Sequence, residues 1–277
     1  MTEDMLRPSA QEDCLPFLKW AGGKRWFVNQ YFDIIPADFG RYIEPFLGSG
    51  ALFFALQPKR AVLSDLNADL VETFAAIKEE WKTVVSFLRK YHHLHSASFY
   101  YRVRSSRPSS RAARAARFIY LNRTCWNGLY RVNNRGQFNV PVGTKENVLL
   151  DSDDFCRTSA LLKRVALVTS DFEAVISSAR RGDLIFADPP YVTAHSQNGF
   201  LKYNEKLFSW NDQVRLVECL NRAKGHGVQV LATNADTPSI RKLYEESFTV
   251  RTANRSSRIA ASPARRGISN ELVITSW

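Results

Sequence analysis

Asp188-Pro-Pro-Tyr191 follows an apolar run, Leu184-Ile-Phe-Ala187, and closes it abruptly. Two prolines cannot continue a β-ladder, so the chain must leave the sheet there. A carboxylate, a proline carbonyl and an aromatic ring then lie beyond a strand end, where open α/β sheets bind ligands. Those three groups suit one chemistry. An amino group attached to an aromatic ring is a poor nucleophile, because its lone pair is delocalised. Two acceptors that take its protons, Asp188 and the carbonyl of Pro189, localise that pair, and Tyr191 can stack on the flat ring. The plain alternative is a Pro-Pro turn with a capping Asp. The strand before it and the aromatic after it weigh against that reading.

A second constellation lies upstream. Glu44-Pro-Phe-Leu-Gly-Ser-Gly50 places two glycines at a strand-to-helix turn, where backbone N–H groups can approach a ligand closely. Position 53 is Phe53, so the third glycine of a dinucleotide fingerprint is missing. Ala21-Gly-Gly-Lys24 lacks the earlier glycine and the Ser/Thr of a P-loop. Asp65 ends the next apolar run, Ala61-Val-Leu-Ser. A carboxylate there can accept from two ribose hydroxyls or cap a helix, and the two readings weigh evenly.

These groups need elements to hold them. The order strand, glycine turn, helix, strand, acid, helix opens a doubly wound α/β sheet, with Asn67 as a helix cap. The alternation breaks from about residue 75 to 150, which reads as helices and then a hairpin near Asn133-Asn-Arg-Gly136. It resumes at Arg164-Val-Ala-Leu-Val-Thr169 and at residues 183–187, with later strands at 228–232 and 272–275 and a helix at 211–223. The expectation is a catalytic sheet domain from residues 1–70 and 151–277, and an inserted, mainly helical domain carrying a β-hairpin at 71–150. Residues 192–200 and 256–267 read as mobile.

Charge points to the partner. The 277 residues carry 38 Lys and Arg against 27 Asp and Glu, a net charge of +11. Nine arginines fall between Tyr101 and Arg135 with no acid among them, and five more between Arg251 and Arg266. The rest of the chain is slightly acidic. Uncompensated arginines interleaved with aromatic and amide residues are the footprint of a polyanion-binding face. Arg111, Arg114 and Arg117 share one helical face, where phosphate contact and a solvated surface weigh about equally. No apolar run spans a bilayer, and the N-terminus lacks the pattern of a secretory signal. The four scattered cysteines argue against a zinc site or disulfides and fit a reducing cytoplasm.

Taken in order, the motifs resemble those of the Dam-like DNA adenine-N6 methyltransferases, the α-group (D12 class) amino methyltransferases. Phe17-Leu-Lys-Trp-Ala-Gly-Gly-Lys-Arg25 is similar to the family's N-terminal cofactor motif, and Glu44 to Gly50 to its Phe-x-Gly-x-Gly loop. Ser64-Asp-Leu-Asn67 is similar to its acidic motif. Leu121-Asn-Arg-Thr-Cys-Trp-Asn-Gly-Leu-Tyr-Arg-Val-Asn133 with Gly136-Gln-Phe-Asn-Val-Pro141 is similar to its DNA-reading hairpin, and Asp188-Pro-Pro-Tyr191 to its catalytic tetrapeptide.

The resemblance implies a Rossmann-like methyltransferase sheet and S-adenosyl-L-methionine as cofactor. It gives Asp188, Pro189 and Tyr191 to catalysis. It gives Trp20, Lys24, Phe46, Gly48, Gly50, Asp65, Asp171 and Asp188 to the cofactor. Trp126, Asn127, Arg131, Asn133 and Arg135 would meet double-stranded DNA, with Arg131 the candidate for a guanine edge. Without the resemblance, Trp20 reads as core and Lys24 as a surface residue. The implied reaction is methylation of adenine N6 in a short sequence, GATC being one candidate, on a flipped-out base and without a metal. Cytosine-N4, RNA or protein-amide methylation, and a DNA-binding relative without catalysis, are the competing readings. No cysteine lies in a Pro-Cys context for cytosine C5 chemistry. A monomer is the default, and a cognate restriction endonuclease is a candidate partner.

Overall fold

A computed structural model describes residues 14–133, 135–191, 208–256 and 268–277. Of the two stretches expected to be mobile, 192–200 and 257–267 lie outside the described residues, as do Arg258, Arg265 and Arg266.

The chain divides into two compact units. One, built from Gly22–Gly48, Pro58–Ala75 and Arg164–Trp277, holds the whole sheet. Its strands are β1 (Tyr42–Glu44), β2 (Ala61–Asp65), β3 (Val165–Thr169), β4 (Leu184–Ala187), β5 (Gln229–Ala235), β6 (Thr249–Ser256) and β7 (Ile268–Thr275). They lie in the order β3-β2-β1-β4-β5-β7-β6. The first five are parallel, and β7 runs antiparallel between β5 and β6. β4 is buried along its whole length, which is why it reads as an unbroken apolar run rather than an alternating one. The helices Arg25–Tyr31 (α1), Phe172–Ser177 (α7), Trp210–Gly225 (α8) and Pro238–Glu245 (α9) belong to this unit. A core of Ile43, Ile185, Val230, Leu272 and Ile274 from the strands meets Leu216, Leu220, Ile240 and Tyr244 from α8 and α9.

Strand order positions the chemistry. After β1 the chain winds toward β2 and β3, whereas β4 and β5 lie on the other side. The switch point is therefore at the neighbouring ends of β1 and β4, paired as Tyr42 with Leu184 and Ile43 with Ile185. The glycine turn leaves β1 there, and Asp188 leaves β4.

The other unit, Met1–Ala21, Ser49–Gln57 and Ala76–Lys163, is helical. It contains α2 (Ala51–Leu56), α4 (Ala97–Ser105), α5 (Arg111–Thr124), α6 (Phe155–Leu162) and most of α3 (Ala68–Leu94). α3 is interrupted at Glu80, whose φ of −130° leaves the helical region. The expected hairpin is sparse. Two isolated bridges, Cys125 with Val142 and Val132 with Phe138, replace a continuous ladder.

Candidate active site

Lys24 gathers the polar groups at the end of the sheet where β4 stops. It sits just before α1, and its side chain is 3% exposed, so the surface reading of this lysine does not hold. An ammonium has three donors. Here it meets three acceptors: Gly22 O at 2.8 Å, Asp188 Oδ1 at 2.8 Å and Glu271 Oε2 at 3.5 Å. Its Nζ also lies 4.9 Å from the centre of the Tyr191 ring. Thr233, on β5, donates its hydroxyl to the same Asp188 Oδ1 at 2.7 Å. Both described partners of Asp188 thus fall on one oxygen. The side chain is 18% exposed, and Oδ2 accepts from no described residue. Burial raises the Asp188 carboxyl above its ordinary value, against the pull of Lys24. The Tyr191 hydroxyl donates to Glu271 Oε2 at 2.6 Å. The arrangement is an oriented carboxylate with one unengaged oxygen beside a held aromatic ring.

The β1 and β2 ends form the neighbouring part of the site. Gly48 and Gly50 have φ of +48° and +67°, a conformation that disfavours any side chain. Asp65 ties this turn down. Its Oδ2 accepts from the Gly48 N–H at 3.2 Å and its Oδ1 from the Asn67 N–H at 3.0 Å. The cap of α3 is Asn67, which accepts from Leu70 N, so Asp65 is not the helix cap. Glu44 is buried in β1 and accepts from the Tyr42 hydroxyl at 2.9 Å. Burial pushes its carboxyl well above the usual range, and the charges of Asp188 and Asp65 add to that. Phe46 stacks on Phe172 with ring centres 5.5 Å apart. Asp171 caps α7 and is gripped in a fork by Arg215, at 3.0 and 2.9 Å. Among the described residues no cluster could hold a metal ion.

The helical unit holds the other predicted residues. Trp20 is half-buried and stacks on Tyr130 and Phe118, at 5.6 and 6.4 Å. Trp126 is 51% exposed, and Asn127 beside it has φ of +54°. Arg131, Asn133 and Arg135 are exposed on the same stretch. Asn139 Oδ1 accepts from Arg131 Nε at 2.9 Å. Asn133 builds the turn: its Oδ1 takes the N–H groups of Arg135 and Gln137, and its Nδ2 donates to Gln137 Oε1.

The arginine run is not a single surface. Arg111 pairs with Glu79 and Glu80 at the interruption of α3. Arg117 donates to the carbonyls of Val103 and Arg104 in the last turn of α4. Arg123 is 2% exposed. Neither a phosphate face nor a solvated face describes Arg111 and Arg117; they join elements.

Sequence reasoning missed Glu271, Thr233 and Arg215. Thr233 had a signal: it is polar at the end of an apolar strand that neighbours β4. Glu271 had none, because only the antiparallel course of β7 brings it to this end of the sheet.

Residues 20–258 match the D12 class N6 adenine-specific DNA methyltransferase family. The Type II methyltransferase M1.LlaDCHI of Lactococcus lactis subsp. cremoris is 33% identical over 271 residues, covering 95% of each chain. The Type II methyltransferase M.MjaIII of Methanocaldococcus jannaschii is 34% identical over 260 residues, 83% of this chain and 88% of its own. A DNA adenine methylase of Vibrio cholerae is 29% identical over 263 residues, 93% and 94% of the two chains.

Proposed function

This chain belongs to the D12 class of N6 adenine-specific DNA methyltransferases, and from that premise we propose that it moves a methyl group from S-adenosyl-L-methionine to adenine N6 at one short sequence of double-stranded DNA. The observation that carries the reading is Asp188 at the switch point, with Oδ1 engaged by Lys24 and Thr233 and Oδ2 free. The site fits a cationic cofactor. The carboxyls of Asp188 and Asp65 lie near enough to Glu44 to raise it, and the buried ammonium there, Lys24, is already held by Asp188. When bound, the sulfonium supplies an activated methyl group. Phe46, Gly48, Gly50 and Asp65, on the turn after β1 and at the end of β2, would meet the cofactor, and Trp20 is proposed as a cofactor residue from the resemblance of its own segment. Lys24 would act by holding Asp188, and Asp171 at the start of α7, which it caps. Calorimetric titration with S-adenosyl-L-methionine tests this assignment; absence of binding overturns it.

The rest falls to this chain's own groups. Asp188 Oδ2 accepts one amino proton and the Pro189 carbonyl the other, which localises the lone pair on nitrogen. Tyr191 stacks on the base. After transfer the surplus proton leaves nitrogen through the hydrogen bond to Asp188 Oδ2. Positioning, rather than strong acid or base work, carries the rate. Asp188 must be ionised to accept. Its carboxyl is raised by burial, so kcat is expected to fall on the acid side at a pH above the ordinary aspartate range. A pH–rate profile that stays flat down to that range contradicts this.

The base must leave the stack, at a cost of roughly a few kcal/mol. Trp126, exposed beside Asn127, would fill the gap, and the exposed Arg135 would meet phosphate. Asn133 shapes the loop that presents them. Arg131→Ala is expected to lose about 1–3 kcal/mol of discrimination at one base pair. Methylation of single-substituted duplexes measures this, and an unchanged preference removes Arg131 from readout. GATC is the first sequence to test. The Type II names of two relatives support a search for a companion restriction endonuclease. A monomer acting on each strand in turn is the simplest assembly.

A further inference from the structure

We infer that Glu271 is a positioning residue for methyl transfer, holding Tyr191 by its hydroxyl and Lys24 by charge so that Asp188 and the stacking ring stay aimed at the amino group; this rests on the function proposed above. Glu271 is the fourth residue of β7 and lies opposite Ala235 of β5 and Ala253 of β6. Because β7 is antiparallel to β5, its beginning lies beside the end of β5. That is the end of the sheet from which Asp188 departs. Glu271 is 3% exposed. A carboxylate buried so deeply needs partners, and two of its partners, Tyr191 and Lys24, belong to the proposed site.

The two contacts act on different groups. The 2.6 Å bond from the Tyr191 hydroxyl fixes the far edge of a ring whose near edge is fixed by the two prolines before it. Burial and the charges of Asp188 and Glu271 hold that phenol well above its usual value, so it stays a donor. On the other side, Glu271 shares the Lys24 ammonium with Asp188, at 3.5 and 2.8 Å. Without Glu271, Lys24 has a single carboxylate partner, and the Tyr191 hydroxyl loses its acceptor. A carboxylate that only stabilised the sheet would not need to engage both groups.

The test compares steady-state methylation of unmethylated duplex DNA by wild type, Glu271→Gln, Tyr191→Phe and the double variant. Each single change is expected to lower kcat roughly 10- to 100-fold, the cost of misplacing a reacting group. KM for DNA and the Kd for S-adenosyl-L-methionine are expected to stay within about twofold of wild type, since positioning acts in the transition state. The double variant is expected to be no slower than the worse single one, because both remove the same bond. Unchanged kcat in Glu271→Gln overturns the inference. So does a loss that follows only the fraction of protein folded, read by circular dichroism. If Glu271→Gln does not fold, Tyr191→Phe reads the same bond from its other end, and unchanged kcat there overturns the inference equally. A wild type that binds cofactor but methylates no DNA overturns the functional reading and this inference with it. An active wild type with an equally active Glu271→Gln overturns the inference alone.

Discussion

An Asp188→Ala enzyme is expected to lose methyl transfer by about 10³-fold while duplex DNA binding survives. The reason is the division of labour at this carboxylate. Oδ1 is engaged by Lys24 and Thr233, which set its orientation, and in the proposed mechanism Oδ2 takes the substrate amino group. Alanine removes the acceptor and the orientation together. The fold has reason to tolerate the change, because Lys24 keeps Glu271 and the Gly22 carbonyl. The arginines and the exposed Trp126 that would meet DNA lie in the other unit. Asp188→Asn separates charge from shape. Its amide can still accept on one atom but loses the charge that pairs with Lys24, and it should fall well below wild type. The measurement is single-turnover methylation beside DNA affinity by anisotropy. Full activity in Asp188→Ala removes Asp188 from the chemistry.

The second large effect is on stability. Arg123 lies in the basic run but faces the interior of the helical unit. All five of its N–H donors are used: on the Phe17 carbonyl, the Val148 carbonyl and both oxygens of Asp153, the last two at 2.6 Å. It joins the N-terminal segment, the end of α5 and the loop before α6. Removing one partner of such a pair leaves a buried charge unmet, at roughly 3–5 kcal/mol. Arg123→Ala is therefore expected to lower the melting temperature by roughly 6–20 °C. Arg123→Lys should recover little, because an ammonium cannot fork onto Asp153. Asp153→Asn should also destabilise. An Arg123→Ala protein with an unchanged melting temperature and weakened DNA binding would return Arg123 to the polyanion surface.

Much of the site could be read from the chain. Each local signal carried its own physical cause. The apolar run 184–187 followed by two prolines announced a strand end, and the carboxylate at that end had to face the crevice. Positive φ at Gly48 and Gly50 is why glycine stands there. Asp65 and Asn67 fell at the turn that couples β2 to α3. Other features depended on pairing between distant segments. β6 is an edge strand, and its polar sequence Thr-Val-Arg-Thr-Ala-Asn-Arg-Ser carries no core signature. The antiparallel course of β7 follows from no local pattern, yet it brings Glu271 to Lys24. Composition could show that residues 101–135 are basic but not where each arginine points. Arg111, Arg117 and Arg123 join elements, whereas Arg131 and Arg135 are exposed. A guanidinium that caps carbonyls and one that awaits phosphate are identical in sequence. The Asp171–Arg215 fork belongs to the same class.

The central claim is that this chain methylates adenine N6 in duplex DNA. The most direct test incubates the purified protein with unmethylated duplex DNA and S-adenosyl-L-methionine labelled in the methyl group. Digestion to nucleosides and mapping of the modified positions follow. The predicted result is labelled N6-methyladenine confined to one short motif. Label in N4-methylcytosine, or none in DNA from protein that still binds the cofactor, would contradict the account.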